Sequence, residues 1–177
     1  PEDMVYAAEL GMTIKLLGTS RKLGEDTFTA LVAPFLVGQK SPLYSVNDVF
    51  NAVFVHGNML GDAMFYGSGA GKLPTASAVV GDVVDAAKHL HRNIMTNWSS
   101  RDLELMDLDD VEGRFFVRVS DTTMDEVEKA FGDVQTIEPD NLPEEFGFIT
   151  PKMKQADYKE KISKLDGKVL AMIRVKD

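Results

Sequence analysis

The chain has 177 residues, room for one large domain or two small ones, and its 19 Lys and Arg against 28 Asp and Glu give a formal net charge of −9. That balance leaves no basic footprint for nucleic acid, and the absence of cysteine removes disulfides, thiolate metal sites and a Cys nucleophile. The longest apolar stretch, Ala30 to Val37, holds Pro34 and is too short to span a bilayer, so no membrane partner is expected. No signal peptide is visible, which makes the cytoplasm the default compartment, and the chain opens at Pro1 rather than Met, as a processed or cut chain would.

Glu2 to Leu10 reads as the end of a helix closed by Gly11. Thr13–Leu17 and Thr27–Val37 are strand-like, separated by the turn signal Leu23-Gly24-Glu25-Asp26, with Pro34 marking an edge or a bulge. Ser45–Asn51 suits a helical turn, and Ala52–His56 and Asp62–Tyr66 suit two further strands. Next comes the glycine cluster of residues 67–71, then a helix. Its Ala76, Val79, Val80, Val83, Val84, Ala87 and Leu90 form one apolar stripe of period 3.6, with Pro74 in the first turn and Thr75 or Ser77 as capping candidates.

Composition then changes. Residues 1–100 carry 7 basic and 9 acidic side chains, whereas residues 101–177 carry 12 and 19, so most of the negative charge lies in the second part. The seam, RDLELMDLDDVE at 101–112, reads as a charged linker. Beyond it the order is β-α-β-β-α-β: Arg114–Ser120, a short helix through Met124, Val127, Ala130 and Phe131, strands Val134–Ile137 and Phe146–Ile149, a helix through Tyr158, Ile162 and Leu165 ended by Gly167, and Val169–Val175. That order predicts helices on one face of an antiparallel sheet.

The segment Tyr66-Gly67-Ser68-Gly69-Ala70-Gly71-Lys72-Leu73-Pro74-Thr75 runs from a strand through alternating glycines into a helix. Glycines there permit close approach of a ligand, and a helix start favours an anion. It is neither a P-loop nor a Rossmann fingerprint, and the same pattern also suits a turn that packs a helix tightly. Other candidates carry less. His89 and His91 point to different sides of a helix, and His56 beside Gly57 suits a turn. Ser68, Ser77 and Thr75 have no evident His base. Asp82 and Asp85 flank the stripe, Asp107, Asp109 and Asp110 read as a solvated charge run, and Lys15 is an odd cation in an apolar strand.

Three stretches, AAELGMTIKLLG at 7–18, SVNDVFNAVFV at 45–55 and FYGSGAG at 65–71 followed by LPTASAVV at 73–80, resemble homoserine dehydrogenases in family order. The resemblance implies an NAD(P)-dependent oxidoreductase that interconverts L-homoserine and L-aspartate 4-semialdehyde in threonine and methionine biosynthesis, with hydride passing between the substrate's C4 and the nicotinamide. In that family the nucleotide-binding domain and the Asp and Lys of the substrate motif lie upstream of the matched stretches. No catalytic role is therefore assigned to Lys15 or Lys88, no metal site is expected, and this C-terminal portion is expected to be inactive alone. The cofactor, NAD or NADP, is expected to touch Gly67, Gly69, Ala70, Gly71, Pro74 and Thr75.

The resemblance also implies a homodimer built on strands 13–17, 27–37 and 52–66, within a catalytic domain of residues 1–100. Residues 113–177 resemble an ACT domain, an amino-acid sensor for which threonine is the candidate effector, although the turn Ser120-Asp121-Thr122-Thr123-Met124 lacks the glycine frequent there. The fold class expected is α+β, a mixed sheet with helices followed by βαββαβ. The alternative is a non-catalytic amino-acid-sensing or oligomerisation module, and a third reading is a phosphate-binding protein built on the glycine loop.

Overall fold

The computed structural model describes residues 2–165 and 168–176. In chain order the elements are α1 (Glu2–Glu9), β1 (Met12–Lys22), β2 (Thr27–Gly38), β3 (Phe50–Gly57), β4 (Gly61–Ser68), α2 (Lys72–Lys88), β5 (Glu104–Leu105), β6 (Glu112–Ser120), α3 (Met124–Phe131), β7 (Gln135–Ile137), β8 (Glu145–Ile149), β9 (Met153–Lys154), α4 (Gln155–Ile162) and β10 (Lys168–Val175). They form two compact units, residues 1–44 with 101–177 and residues 45–100. The class is α+β.

The first unit is organised by β6. Its sequence Arg114-Phe115-Phe116-Val117-Arg118-Val119 places apolar side chains on both faces of the strand. Phe115, Val117 and Val119 enter a core with Val127, Phe131, Phe148 and Tyr158, under α3 and α4. Phe116 enters a second core with Tyr6 and Ala7 of α1, Leu36, Ile149, Ile173 and Val175. The sheet order β1-β2-β10-β6-β8-β7 therefore joins the first hairpin to the C-terminal strands. The junction is narrow: β10 runs parallel to β2 through Arg174 and Phe35, and Val175 and Leu36.

The same side of β2 receives β5 at Thr27 and Phe28. Pro34, paired with Leu16 of β1, thus lies in a stretch whose other side has no strand among the described residues, where a missing N–H costs no ladder bond. Segment 101–112 is ordered at several points. Arg101 pairs with Asp26, and the Glu104 N–H donates to the Asp26 carbonyl at 2.7 Å. Asp107, Asp109 and Asp110 are not a free charge run. Asp107 caps the short 3₁₀ turn that follows, Asp109 accepts from Lys159 at 2.5 Å and from Gln155 at 3.0 Å, and Asp110 accepts from Lys154 at 2.9 Å.

The second unit is a hairpin and a helix. β3 and β4 pair from Phe50 and Ser68 to Gly57 and Gly61, and Phe50 stacks on Tyr66 with ring centroids 4.9 Å apart. Ser45–Asn51 is not a helical turn as its sequence suggests: Asp48 takes a positive φ of 56° and β3 already begins at Phe50. In α2 neither Thr75 nor Ser77 caps the helix. Gly71 occupies the N-cap without a side-chain bond, and Thr75 lies inside the helix, its N–H donating to the Gly71 carbonyl at 3.1 Å. α4 ends at Ile162, ahead of its expected stop, and Gly167 lies outside the described residues.

α1 and the sheet are tightly packed at Gly147. A Cβ there would stand 2.6 Å from the Phe116 ring and 2.9 Å from the Tyr6 ring, so α1 seats against bare backbone. Gly147→Ala is expected to destabilise the protein by roughly 2 kcal/mol through overpacking. Urea unfolding monitored by far-UV circular dichroism should show the lower midpoint, and an unchanged midpoint would place Tyr6 elsewhere.

Candidate functional site

The glycine loop owes its shape to three different local causes. β4 delivers Gly67 opposite Asn51. The Gly69 N–H donates to the Val49 carbonyl at 3.3 Å, and a Cβ on Gly69 would overlap the Asn51 side-chain amide, so the loop is pressed against the start of β3. Gly71 adopts φ 121° and ψ 151°, a conformation open to glycine and hardly to any L side chain. Gly67 differs from both: a Cβ there would meet nothing within 4 Å, and its φ is not positive.

The loop feeds α2, whose first turn carries Lys72 and no acidic residue, and whose N-cap supplies no side-chain oxygen. Such a helix start keeps its positive end available to an anion. The sequence-derived contact residues Gly67, Gly69, Ala70, Gly71, Pro74 and Thr75 are thus brought together in one exposed loop and first turn. Pro74 has no N–H to donate, and that of Thr75 is taken by Gly71.

The apolar stripe of α2 is exposed: Val79, Val80, Val83 and Val84 retain between 46% and 63% of their accessible surface. On the hairpin, Val53, Val55 and Phe65 point to one face and Phe50, Met64 and Tyr66 to the other, and all six are exposed. His56 contacts Asp62 at 2.5 Å near the hairpin turn, and the His89 ring lies 2.9 Å from the Asp85 carbonyl at the end of α2. Both imidazoles have local partners, and His56 lies in β3, paired with Asp62 of β4, rather than in a turn. Lys15 is half-buried in β1, and Asp82 and Asp85 are exposed.

In the first unit a cleft of about 530 Å³ opens between the β6–α3 turn and the β7–β8 connection, lined by Ser120, Thr122 and Met124 on one side and Glu138, Glu144 and Glu145 on the other. Asp121 takes φ 58° in this turn, the left-handed conformation for which glycine is favoured and aspartate tolerated. Thr123 and Glu126 close the N-terminus of α3 with a capping box: the Glu126 N–H donates to Thr123 Oγ1 at 3.3 Å and the Thr123 N–H to the Glu126 carboxylate at 2.9 Å. The Thr123 backbone N–H is the main cause holding the Glu126 carboxyl below its ordinary pKa.

Sequence reasoning marked the turn but not the charged group behind it. Arg118 Nη1 donates to both Glu145 oxygens at 2.9 and 3.0 Å, and Arg118 Nε stands 2.9 Å from Asp3 of α1. The Tyr6 hydroxyl donates to Glu145 at 3.4 Å. Burial, with the Glu145 charge second, pushes the Tyr6 hydroxyl up to about 12. Burial opposes the charge of Arg118, yet Glu145 and Asp3 hold its pKa above the ordinary arginine value. The available signal was Arg118 between Val117 and Val119 in the apolar stretch of β6.

Comparison with known proteins finds similarity to one family. Residues 1–84 match the family model described as homoserine dehydrogenase. Among curated relatives, the homoserine dehydrogenase of Neisseria gonorrhoeae is 49% identical over 86 residues, that of Corynebacterium glutamicum 48% over 91, and that of Bacillus subtilis 40% over 96. These matches cover 49%, 49% and 54% of this chain but 20%, 20% and 22% of the relatives. Among solved structures, a homoserine dehydrogenase from Thiobacillus denitrificans superposes with a TM-score of 0.81 at 27% identity, over 99% of this chain and 45% of that one. That of S. aureus gives 0.72 at 28% identity, over 99% and 44%. The chain thus spans less than half the length of these relatives.

The local causes separate the glycines. Gly71→Ala is expected to cost roughly 1–3 kcal/mol of stability through backbone strain. Gly67→Ala, with open space for its methyl, should stay within about 0.5 kcal/mol of the parent, as surface substitutions generally do. Thermal unfolding of the two variants side by side checks this, and equal losses would mean that the loop has another conformation.

Proposed function

We propose that this chain, whose residues 1–84 match the homoserine dehydrogenase family model, is the C-terminal portion of a cytoplasmic, NAD(P)-dependent homoserine dehydrogenase. The reaction is the interconversion of L-homoserine and L-aspartate 4-semialdehyde, in the biosynthesis of threonine and methionine. The observation that carries the proposal is the FYGSGAG loop leading directly into an uncapped helix start that bears no carboxylate.

This chain's part in that reaction is to hold the cofactor rather than to move the proton. NAD or NADP, when bound, supplies the hydride acceptor for homoserine oxidation. Gly67 lets the backbone come close to it without a side chain intervening. Gly69 and Gly71 hold the loop's course, and the start of α2 offers its positive end, with Lys72, to a phosphate. Ala70, Pro74 and Thr75 line the same approach. The proton-transferring lysine and the carboxylates that orient the substrate belong to the upstream part of the enzyme, so the 177-residue chain alone is inactive. The exposed stripe of α2 has the character of a face that the upstream nucleotide-binding domain covers.

By descent, residues 1–100 are the catalytic and dimerisation part, 101–112 the connection and 113–177 an ACT-like regulatory domain. The order β6-α3-β7-β8-α4-β10, interrupted only by the two-residue β9, and the left-handed Asp121 in the first turn support the last assignment. Threonine is the effector proposed for the cleft beside that turn. A homodimer formed through β1 and β2 is supported by the exposed Leu16 and Val32, which share a face of that hairpin.

The test is homoserine-dependent NAD(P)H formation by the chain extended to a complete nucleotide-binding domain, with the 177-residue chain beside it. Activity in the long protein and none in the short one is the expected result. Gly67→Ala in the long protein should raise the KM for the cofactor about tenfold, equivalent to roughly 1.4 kcal/mol, with stability preserved. No activity in the long protein would favour the non-catalytic sensing or oligomerisation module instead.

A further inference from the structure

Glu145 belongs to two places at once. The residue lines the cleft beside the β6–α3 turn, and its carboxylate faces α1, where it accepts from the Tyr6 hydroxyl and from Arg118. Two polar attachments of α1 to the sheet pass through it. One is direct, through Tyr6. The other is indirect, because the bonds from Arg118 Nη1 to the two Glu145 oxygens hold the guanidinium with its Nε 2.9 Å from Asp3, an ion pair with no hydrogen bond between those two atoms. Arg118 and Glu145 are 11% and 14% exposed, so little water is present to replace a lost partner.

The charges are also unequal. One guanidinium stands between two carboxylates, and the cleft adds Glu138, Asp140 and Glu144 with no lysine or arginine in its lining. A positive group entering the cleft therefore competes with Arg118 for Glu145. We infer that Glu145 is a coupling residue: an ammonium group placed in the cleft draws its carboxylate away from Arg118 and Tyr6 and loosens α1 from the sheet. The consequence reaches the family-matched part of the chain, since α1 leads directly into β1 and the β1–β2 hairpin. The link deepens the sensor reading of the cleft and rests on it for the identity of the natural ligand, but not for the coupling itself.

Ser120 is paired with Glu145 across β6 and β8, so Ser120→Lys supplies a tethered ammonium without any ligand. Hydrogen exchange followed by mass spectrometry on the whole protein reads the result at peptides covering α1. Ser120→Lys and Glu145→Gln are each expected to speed α1 exchange by roughly tenfold while α3 and α4 keep the parent rates, and the uncharged Ser120→Met is expected to leave α1 unchanged. Parent-like α1 exchange in Ser120→Lys overturns the coupling, as does a Ser120→Met variant that loosens α1 equally. Should Ser120→Lys also lose protection in α3 and α4, Glu145→Gln decides, and parent-like α1 exchange in that variant overturns the coupling.

L-Threonine added to the parent separates the two readings. Protection of the Ser120–Met124 turn together with faster α1 exchange supports both. Protection of the turn with α1 unchanged overturns the coupling alone. No protection overturns threonine as the effector, and the Ser120→Lys variant then decides the coupling by itself.

Discussion

A strand with large apolar side chains on both faces must be covered twice, and β6 imposes that requirement on the first unit. Helices α3 and α4 cover the face of Phe115, Val117 and Val119, as the βαββαβ order requires. Nothing in that order covers Phe116. The cover comes from α1, more than a hundred residues earlier, whose Tyr6 and Ala7 are fully buried against it. Burying one side chain of phenylalanine size is worth roughly 1.5–3 kcal/mol, so an uncovered Phe116 would consume a large share of a small domain's stability. The βαββαβ segment is therefore completed by the chain that precedes it, and Gly147 is the position that lets the two meet.

The second unit shows the opposite condition. Its hairpin has apolar side chains on both faces and its helix has an apolar stripe, yet these surfaces are exposed. An amphipathic helix gains most of its stability from covering its apolar face, and monomeric proteins seldom leave patches of this extent open. The first unit buries two apolar cores while leaving Leu16 and Val32 of its first hairpin exposed, whereas the second unit buries none of its large apolar side chains. That contrast agrees with a chain spanning 45% of its solved relative, with the larger apolar surfaces collected in the unit that carries the glycine loop.

Local pattern made most of the elements legible. The 3.6-residue stripe located α2, alternation and turn residues located the two hairpins, and the order of short elements after residue 112 gave the helix-covered sheet. What was not legible depended on pairing at long range. The joining of β2 to β10 rests on two residue pairs, and no local feature of either strand announces it. The role of Asp109 and Asp110 was missed because their partners, Lys159 and Lys154, lie more than forty residues away in sequence. Phe115-Phe116-Val117 did carry a signal, since three consecutive large apolar residues break the alternation of a strand with one wet face. Of the candidate site, the loop residues were visible as a motif, whereas the Asp3–Arg118–Glu145 group joins three separate elements and has no motif.

The glycine loop shows how the two explanations of a glycine-rich turn can be separated without a ligand in view. A glycine required by packing has a neighbour that its Cβ would strike, and Gly69 has Asn51. A glycine required by the backbone has a φ that L residues avoid, and Gly71 has φ 121°. Gly67 meets neither condition: the chain around it would accept a methyl group without movement or strain. A bare position of that kind, at the end of a strand and one turn before a helix start free of carboxylates, gains nothing from the fold in return for the conformational entropy that glycine loses on folding. The unit itself does not account for it, and the cofactor contact proposed for this loop would.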